Sequence, residues 1–117
     1  EEKRHPDAQL NIMNSRAIEL IAVERERWKL AGDQLYIDLD LSFDNIPPGT
    51  RLKIGTAVIE VTAIPHRGCG KFKERFGEAA NNFVNDERGV RLNLRGVAAK
   101  VIQDGNVKVG DKVTKVS

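Results

Sequence analysis

The chain has one cysteine in 117 residues, so it can form no internal disulfide. A chain of this length can bury a working core without one. It contains no run of about 18 apolar residues, which argues against a membrane-spanning helix. There is also no cationic-then-apolar leader, so a reducing cytoplasm is the expected setting. Aromatic residues make up only 5% of the chain. That is too few for the exposed stacking platforms by which single-stranded nucleic acids are read, so a nucleic-acid partner is not expected. Charge of one sign is scarce as well. The 19 Lys and Arg nearly balance the 17 Asp and Glu, and the net charge of +2 does not mark a nucleic-acid binder. Histidine is limited to His5 and His66, too few beside a lone cysteine for a structural zinc site.

What is present is unevenly distributed. Asp33 to Asp44 holds four carboxylates and no cation, whereas His66 to Arg75 holds four Lys or Arg against the lone Glu74. The cations therefore gather around Cys69, which stands between Gly68 and Gly70. Flanking glycines leave a sulfur unshielded and let backbone N–H groups turn toward an anion. A cysteine reacts as its thiolate, which a helix start and nearby cations stabilise. Lys71 and Arg75 stand at i,i+4, a like-charge pair that an anionic ligand would relieve. His66 either tunes the thiol or caps the end of the preceding strand. Arg91 and Arg95 are expected to share one strand face.

Most of the chain reads as strand. Leu35, Ile37, Leu39, Leu41 and Phe43 alternate with Tyr36, Asp38, Asp40, Ser42 and Asp44, which predicts a half-buried strand with an acidic outer face. Those aspartates serve edge protection better than cation binding. Ala17 to Val23 is predicted as a strand buried on both faces, with helix the other reading. Glu24 to Leu30 is predicted as a short surface helix ended by Gly32. Pro47-Pro48-Gly49 is a type II turn signal. Short strands are expected over Arg51 to Ile54, Ala57 to Ile64, Val90 to Arg95, Val97 to Ile102, Val107 to Val109 and Lys112 to Val116, with a helix over Lys71 to Phe76. Many short strands with Gly-rich turns predict one mostly β domain spanning residues 1–117: a closed or nearly closed β-barrel with a few short helices. Residues 1–10 are expected to be a flexible or trimmed end, since the chain does not begin with methionine.

Three blocks, taken in order, resemble the MOSC family, the domain named for the C-terminal part of molybdenum cofactor sulfurase. They are Leu52-Lys53-Ile54-Gly55-Thr56-Ala57-Val58-Ile59-Glu60-Val61-Thr62, then Cys69, then Arg95-Gly96-Val97-Ala98-Ala99-Lys100-Val101-Ile102 leading to Gly110-Asp111. Upstream, Asn14-Ser15-Arg16-Ala17-Ile18 is similar to the family's arginine-led first strand. Two positions depart from the family pattern. Gly68 stands where a proline commonly precedes the cysteine, and the family's Gly-Glu-Asn-like turn appears as Ala31-Gly32-Asp33-Gln34. They suggest a small stand-alone subfamily.

The resemblance implies a barrel like that attached to pyruvate kinase. It also implies a Cys69 that carries sulfane sulfur as a persulfide or acts beside a molybdenum cofactor. His66, Lys71, Arg75, Arg95 and Arg16 are the candidate anion- or cofactor-binding residues, and no metal ligand set is expected. The implied partners are a cysteine desulfurase or other sulfur donor and a metalloenzyme acceptor. Molybdenum-ion and pyridoxal phosphate binding are further family associations. The competing reading is a non-catalytic barrel that binds RNA or a protein. Whether the chain turns over as an enzyme is open at this stage.

Overall fold

The computed structural model describes residues 6–116; His5 and the rest of the first five residues lie outside them. In chain order the elements are strand β1 (Leu10–Asn14), helix α1 (Ser15–Ala22), a 3-10 helix (Arg25–Ala31), strands β2 (Leu35–Ile37), β3 (Arg51–Ile54) and β4 (Ala57–Val61), helices α2 (Gly70–Phe76), α3 (Glu78–Asn85) and α4 (Glu87–Arg91), and strands β5 (Val97–Gln103) and β6 (Val113–Val116). The strands form one six-stranded sheet in the order β2-β1-β5-β4-β3-β6. β1 and β2 run parallel and every other pair is antiparallel.

Laid flat, the two edges of such a sheet would be about 24 Å apart, at the usual ~4.8 Å per strand. Here Leu35, Tyr36 and Ile37 of β2 line a common cavity with Val113 of β6. Residues from all six strands also pack into one core, including Ile12, Ile37, Leu52, Ile59, Val97 and Val113. The sheet is therefore strongly curled into a half-barrel with short helices outside, close to the barrel expected from the strand pattern.

The second core lies on the other side of β1. Ile12 faces the barrel interior, and its neighbour Met13 faces Ala17, Ile18, Ala22 and Ala31 of α1 and the 3-10 helix. The period of two that makes β1 a strand thus gives each of its faces a separate core. β1 itself escaped the sequence reading. Just before it, the Asp7 carbonyl accepts a hydrogen bond from the Thr62 hydroxyl and the Gln9 side chain accepts one from the Val101 N–H.

Three strand expectations are corrected. Ala17 to Val23 is mostly helix α1. Asn14 Oδ1 accepts from the N–H groups of Arg16 and Ala17, an N-cap that starts the helix. Its apolar positions sort onto one face, with Ala17, Ile18 and Ala22 buried while Leu20 and Val23 are exposed. Val90 to Arg95 is the end of α4 and a turn. Asp86 caps that helix through the Gly89 N–H, and Asn93 takes a positive φ of 50°. Arg91 and Arg95 consequently share no strand face: Arg91 is exposed and Arg95 is buried. The strand expected over Val107 to Val109 is a loop, with Val109 fully in solvent.

Other expectations hold in part or in full. The strand predicted from Leu35 to Phe43 stops at Ile37, where the chain turns away. Ser42 N–H donates to Asp40 Oδ1, and the Asn45 side chain donates to the Asp40 carbonyl. Its alternation survives as burial only as far as Leu41: Ile37, Leu39 and Leu41 join the barrel core while Asp38 and Asp40 are exposed, but beyond the turn the pattern inverts, with Ser42 buried and Phe43 exposed. The short surface helix ends at Gly32 in the left-handed conformation, and α2 ends at Gly77.

Candidate functional site

Cys69 is exposed and is the residue from which α2 starts. The loop before it is pinned from α3: Asn85 Oδ1 accepts from the Gly68 N–H and Asn85 Nδ2 donates to the Gly68 carbonyl, both at 2.8 Å. A Cβ on Gly68 would fall 2.4 Å from Asn81 Oδ1 and 2.9 Å from Val84 Cγ2. A proline there would lose the N–H bond and collide with α3. The departure from the family's proline is thus tied to Asn85. The Cys69 side chain makes no capping hydrogen bond, yet its pKa lies below the ordinary thiol value. The first cause is the Phe72 N–H pointed at the sulfur. The N–H groups of Lys71 and Cys69 itself and the charge of Arg95 add to it, against the opposing effect of partial burial.

Behind this loop sits a buried ionic cluster. Arg95 is 6% exposed, and its Nη1 donates to Asp33 Oδ2 at 2.8 Å. Its Nη2 donates to the Ala31 carbonyl at 2.8 Å, and Met13 Sδ lies 3.8 Å from Nη1. The Phe72 ring covers the guanidinium at 4.9 Å, so α2 lays a π face over the cation that supports its own starting cysteine. Arg95 Nε is buried with no hydrogen-bond partner among the described residues. The other oxygen of Asp33 is 3.1 Å from His66 Nε2. The Asp33 side chain is only 1% exposed, so one carboxylate joins Arg95 and His66 out of water.

Sequence reading missed Asp33. It enters the sequence reading only as the first carboxylate of the acidic run Asp33 to Asp44, and the one signal that could have found it is its place beside the helix-ending Gly32.

Gly96 makes room for this cluster. Its φ is +120°, and a Cβ would lie 2.2 Å from the Ile12 carbonyl oxygen and 3.2 Å from His66 Cδ2. Gly96→Ala is expected to destabilise the fold by about 2–4 kcal/mol, combining backbone strain with overpacking. Urea unfolding measures this, and a loss below about 0.5 kcal/mol would mean that β1 yields freely at this point.

The remaining candidates are scattered. Lys71 is exposed two residues after Cys69, and its side chain has no hydrogen-bond or ion-pair partner among the described residues. Arg75 points back to the 3-10 helix: its Nη1 donates to the Leu30 carbonyl, while Arg27 donates to the Arg75 carbonyl and covers Phe76. It staples α2 to its neighbour. Arg16 lies on α1, in an exposed ion pair with Asp38. The structure therefore brings the charge of Arg95 and the backbone N–H of Lys71 to bear on the cysteine, ties His66 to Arg95 through Asp33, and directs Arg75 and Arg16 to other partners. Among the described residues no three His, Cys, Asp or Glu are grouped to hold a metal ion. No helix among them is long and apolar enough to cross a membrane.

A curled six-stranded half-barrel, with an accessible acidic thiol set outside it over a buried arginine–carboxylate pair, defines a thiol-bearing β-barrel domain. The chain belongs to the MOSC domain family, which it matches over residues 3–114. That family is linked to the domains of molybdenum cofactor sulfurase. Among solved structures the fold is similar to YiiM from Escherichia coli, with a TM-score of 0.65 and 23% identity over 99% of this chain and 58% of that one. YiiM from Geobacillus stearothermophilus gives 0.67 and 19% identity over 96% and 56%. A protein described as hypothetical gives 0.65 and 21% over 100% and 56%. The chain thus spans a little over half the length of these neighbours. No curated protein shows significant sequence similarity to it.

Proposed function

We propose that this protein is a sulfur carrier that holds sulfane sulfur as a persulfide on Cys69 for transfer to a metal–sulfur centre. The observation that carries the reading is the exposed Cys69 thiol, whose anion is favoured by the N–H groups of Phe72 and Lys71 and by Arg95. A persulfide's terminal sulfur is also anionic and gains from the same donors. Loading is an exchange. The Cys69 thiolate attacks the outer sulfur of a donor persulfide, the donor's S–S bond breaks, and a new S–S bond forms on Cys69. The donor leaves as its thiolate, so no external oxidant is needed. A cysteine desulfurase bearing such a persulfide is the donor class. Delivery reverses the step: the acceptor attacks the outer sulfur and Cys69 leaves as thiolate. The exposed Lys71 side chain, two residues from Cys69 and without an ion-pair partner among the described residues, is a candidate to meet an anionic donor or acceptor.

The residues also suit one bond to molybdenum, since a thiolate is a soft ligand. With no three protein ligands grouped among the described residues, such a metal would bring its other ligands with it, as a metal held in an organic cofactor does. Cys69 would supply a sulfur ligand to such a metal, and the charge of Arg95 would favour its thiolate.

The test is intact mass after incubation with a desulfurase and cysteine. The wild-type chain is expected to gain one sulfur atom, removable by a thiol reductant, and Cys69→Ala to gain none while remaining folded. If neither gains sulfur, the carrier reading fails and a non-catalytic binding barrel takes its place.

A further inference from the structure

Gly68 and Gly70 leave the Cys69 sulfur unshielded, but glycine also has the most backbone freedom, so the same pair would let the peptides on either side of the cysteine swing. The structure holds both sides. Downstream, the Cys69 carbonyl accepts the Lys73 N–H at 2.9 Å, which ties it into the first turn of α2. Upstream, the holding comes from Asn85 at the end of α3, 17 positions from Gly68. Its Oδ1 accepts the Gly68 N–H and its Nδ2 donates to the Gly68 carbonyl, so one amide grips the peptides on both sides of Gly68. Only one orientation of the amide satisfies both bonds, and Asn81 Oδ1, one turn back on α3, lies 3.5 Å from the same Nδ2. The last turn of α3 is itself fixed by Val84, which is fully buried. The peptide between Gly68 and Cys69 is planar, so a held carbonyl on one side sets the direction of the Cys69 N–H on the other.

We propose that Asn85 is the positioning residue of the Cys69 thiol: by gripping Gly68 it fixes the backbone that carries the sulfur, and so keeps the sulfur at its N–H donors while it bears a negative charge. Those donors are first the Phe72 N–H and then the Lys71 N–H, with the charge of Arg95 and the N–H of Cys69 itself adding to them. The N–H donors belong to α2 and to the cysteine, whereas the clamp belongs to α3. A loop that slipped from Asn85 would move the sulfur while the α2 donors stayed in place. Donors arranged before the charge develops cost no reorganisation when it does. The inference rests on the reading of Cys69 as the working group, which attacks as a thiolate on loading and leaves as one on delivery. It does not require that the group carried be sulfur.

The test is the pH dependence of iodoacetamide reaction in Asn85→Ala and Asn85→Asp, beside native-state exchange of the Gly68 amide hydrogen. Asn85→Ala is expected to react severalfold more slowly than wild type at neutral pH, with its midpoint moved upward, and to lose protection at Gly68. Asn85→Asp keeps an acceptor for the Gly68 N–H, but it turns an oxygen toward the Gly68 carbonyl and adds a charge of the thiolate's sign, so it should be at least as slow. Asp111→Ala is the control for general loosening. It removes a 2.8 Å bond from the Lys108 N–H in the loop before β6, and it should lower Tm without moving the thiol profile. Asn85 is exposed, so its variants are expected to fold; if Asn85→Ala does not, Asn85→Asp decides by the same profile. A wild-type profile in either Asn85 variant, or an equal upward shift in Asp111→Ala, would overturn the proposal. If desulfurase loading fails in the wild type while alkylation follows Asn85 as expected, only the carrier reading falls. If loading succeeds and alkylation ignores Asn85, only this inference falls.

Discussion

Asp33→Ala is expected to be the most damaging single substitution in the chain, costing about 3–5 kcal/mol and lowering Tm by roughly 10–20 °C. The residue is neither large nor apolar, and it lies in a turn. Its removal strands the Arg95 cation in a site that is 6% exposed, where the Ala31 carbonyl, the Met13 sulfur and the Phe72 ring are its other contacts. Arg95 Nε already lacks a partner among the described residues, so they offer the cluster no spare acceptor. The comparison that isolates the cause is Asp33→Leu with Arg95→Met. Removing both charges leaves apolar groups of similar size beside Met13 and Phe72, and the double variant should recover much of the loss. Urea denaturation of the two single variants and the double measures it. A cost under about 1 kcal/mol for Asp33→Ala would mean that water reaches Arg95 and that the pair behaves as a surface ion pair.

Cys69 is expected to alkylate severalfold faster at neutral pH in the native protein than in the urea-unfolded chain. Its native pKa is lowered, first by the Phe72 N–H, then by the Lys71 N–H and Arg95, so more thiolate is present when the chain is folded. The sign of the accompanying stability change follows. In the pH interval between the native and unfolded pKa values the unfolded chain holds the extra proton, so stability rises with pH there. The contribution is fully present above the unfolded value and is lost as pH falls through the native one. Relative to Cys69→Ala, the wild type should therefore gain stability as pH rises toward the ordinary thiol range. Arg95→Met should move the alkylation midpoint upward, and Arg91→Met should leave it unchanged, because Arg91 is exposed on α4 and is not among the groups that shift the thiol. Rates of iodoacetamide reaction against pH decide this. Equal rates in the native and unfolded protein would remove the physical basis for a reactive Cys69.

Local pattern alone settled a large part of this protein. The alternation Leu52, Ile54, Ala57, Ile59, Val61 places five buried side chains on the inner faces of β3 and β4. Gly49 and Gly55 take the positive φ their turns require. The glycine-flanked cysteine marks the helix start it was expected to mark. These features depend on backbone sterics and on period two, which act within a few residues. The errors lie where two periods fit the same letters. Ala17 to Val23 and Val90 to Arg95 are short apolar stretches that satisfy a strand as well as a helix. The caps at Asn14 and Asp86 decided for helix, through hydrogen bonds of 2.6–3.0 Å.

The site itself was only half legible. Cys69 announced itself by composition and neighbours, because its reactivity is set largely by N–H groups within three residues of it. His66 and Arg95 lie 33 and 62 positions from Asp33 along the chain, and beyond the adjacent helix-ending Gly32 nothing local distinguishes a carboxylate that will be 1% exposed from one that will face water. Arg91 and Arg95 looked alike in sequence, four residues apart on a presumed face. The turn after α4 sends the first into solvent and the second beneath Phe72. Burial of a charge becomes possible only when the barrel wall, the 3-10 helix and α2 have assembled a partner, a carbonyl and a ring around it. That assembly belongs to the tertiary structure, since desolvation depends on what closes over a residue in space and not on its neighbours in the chain.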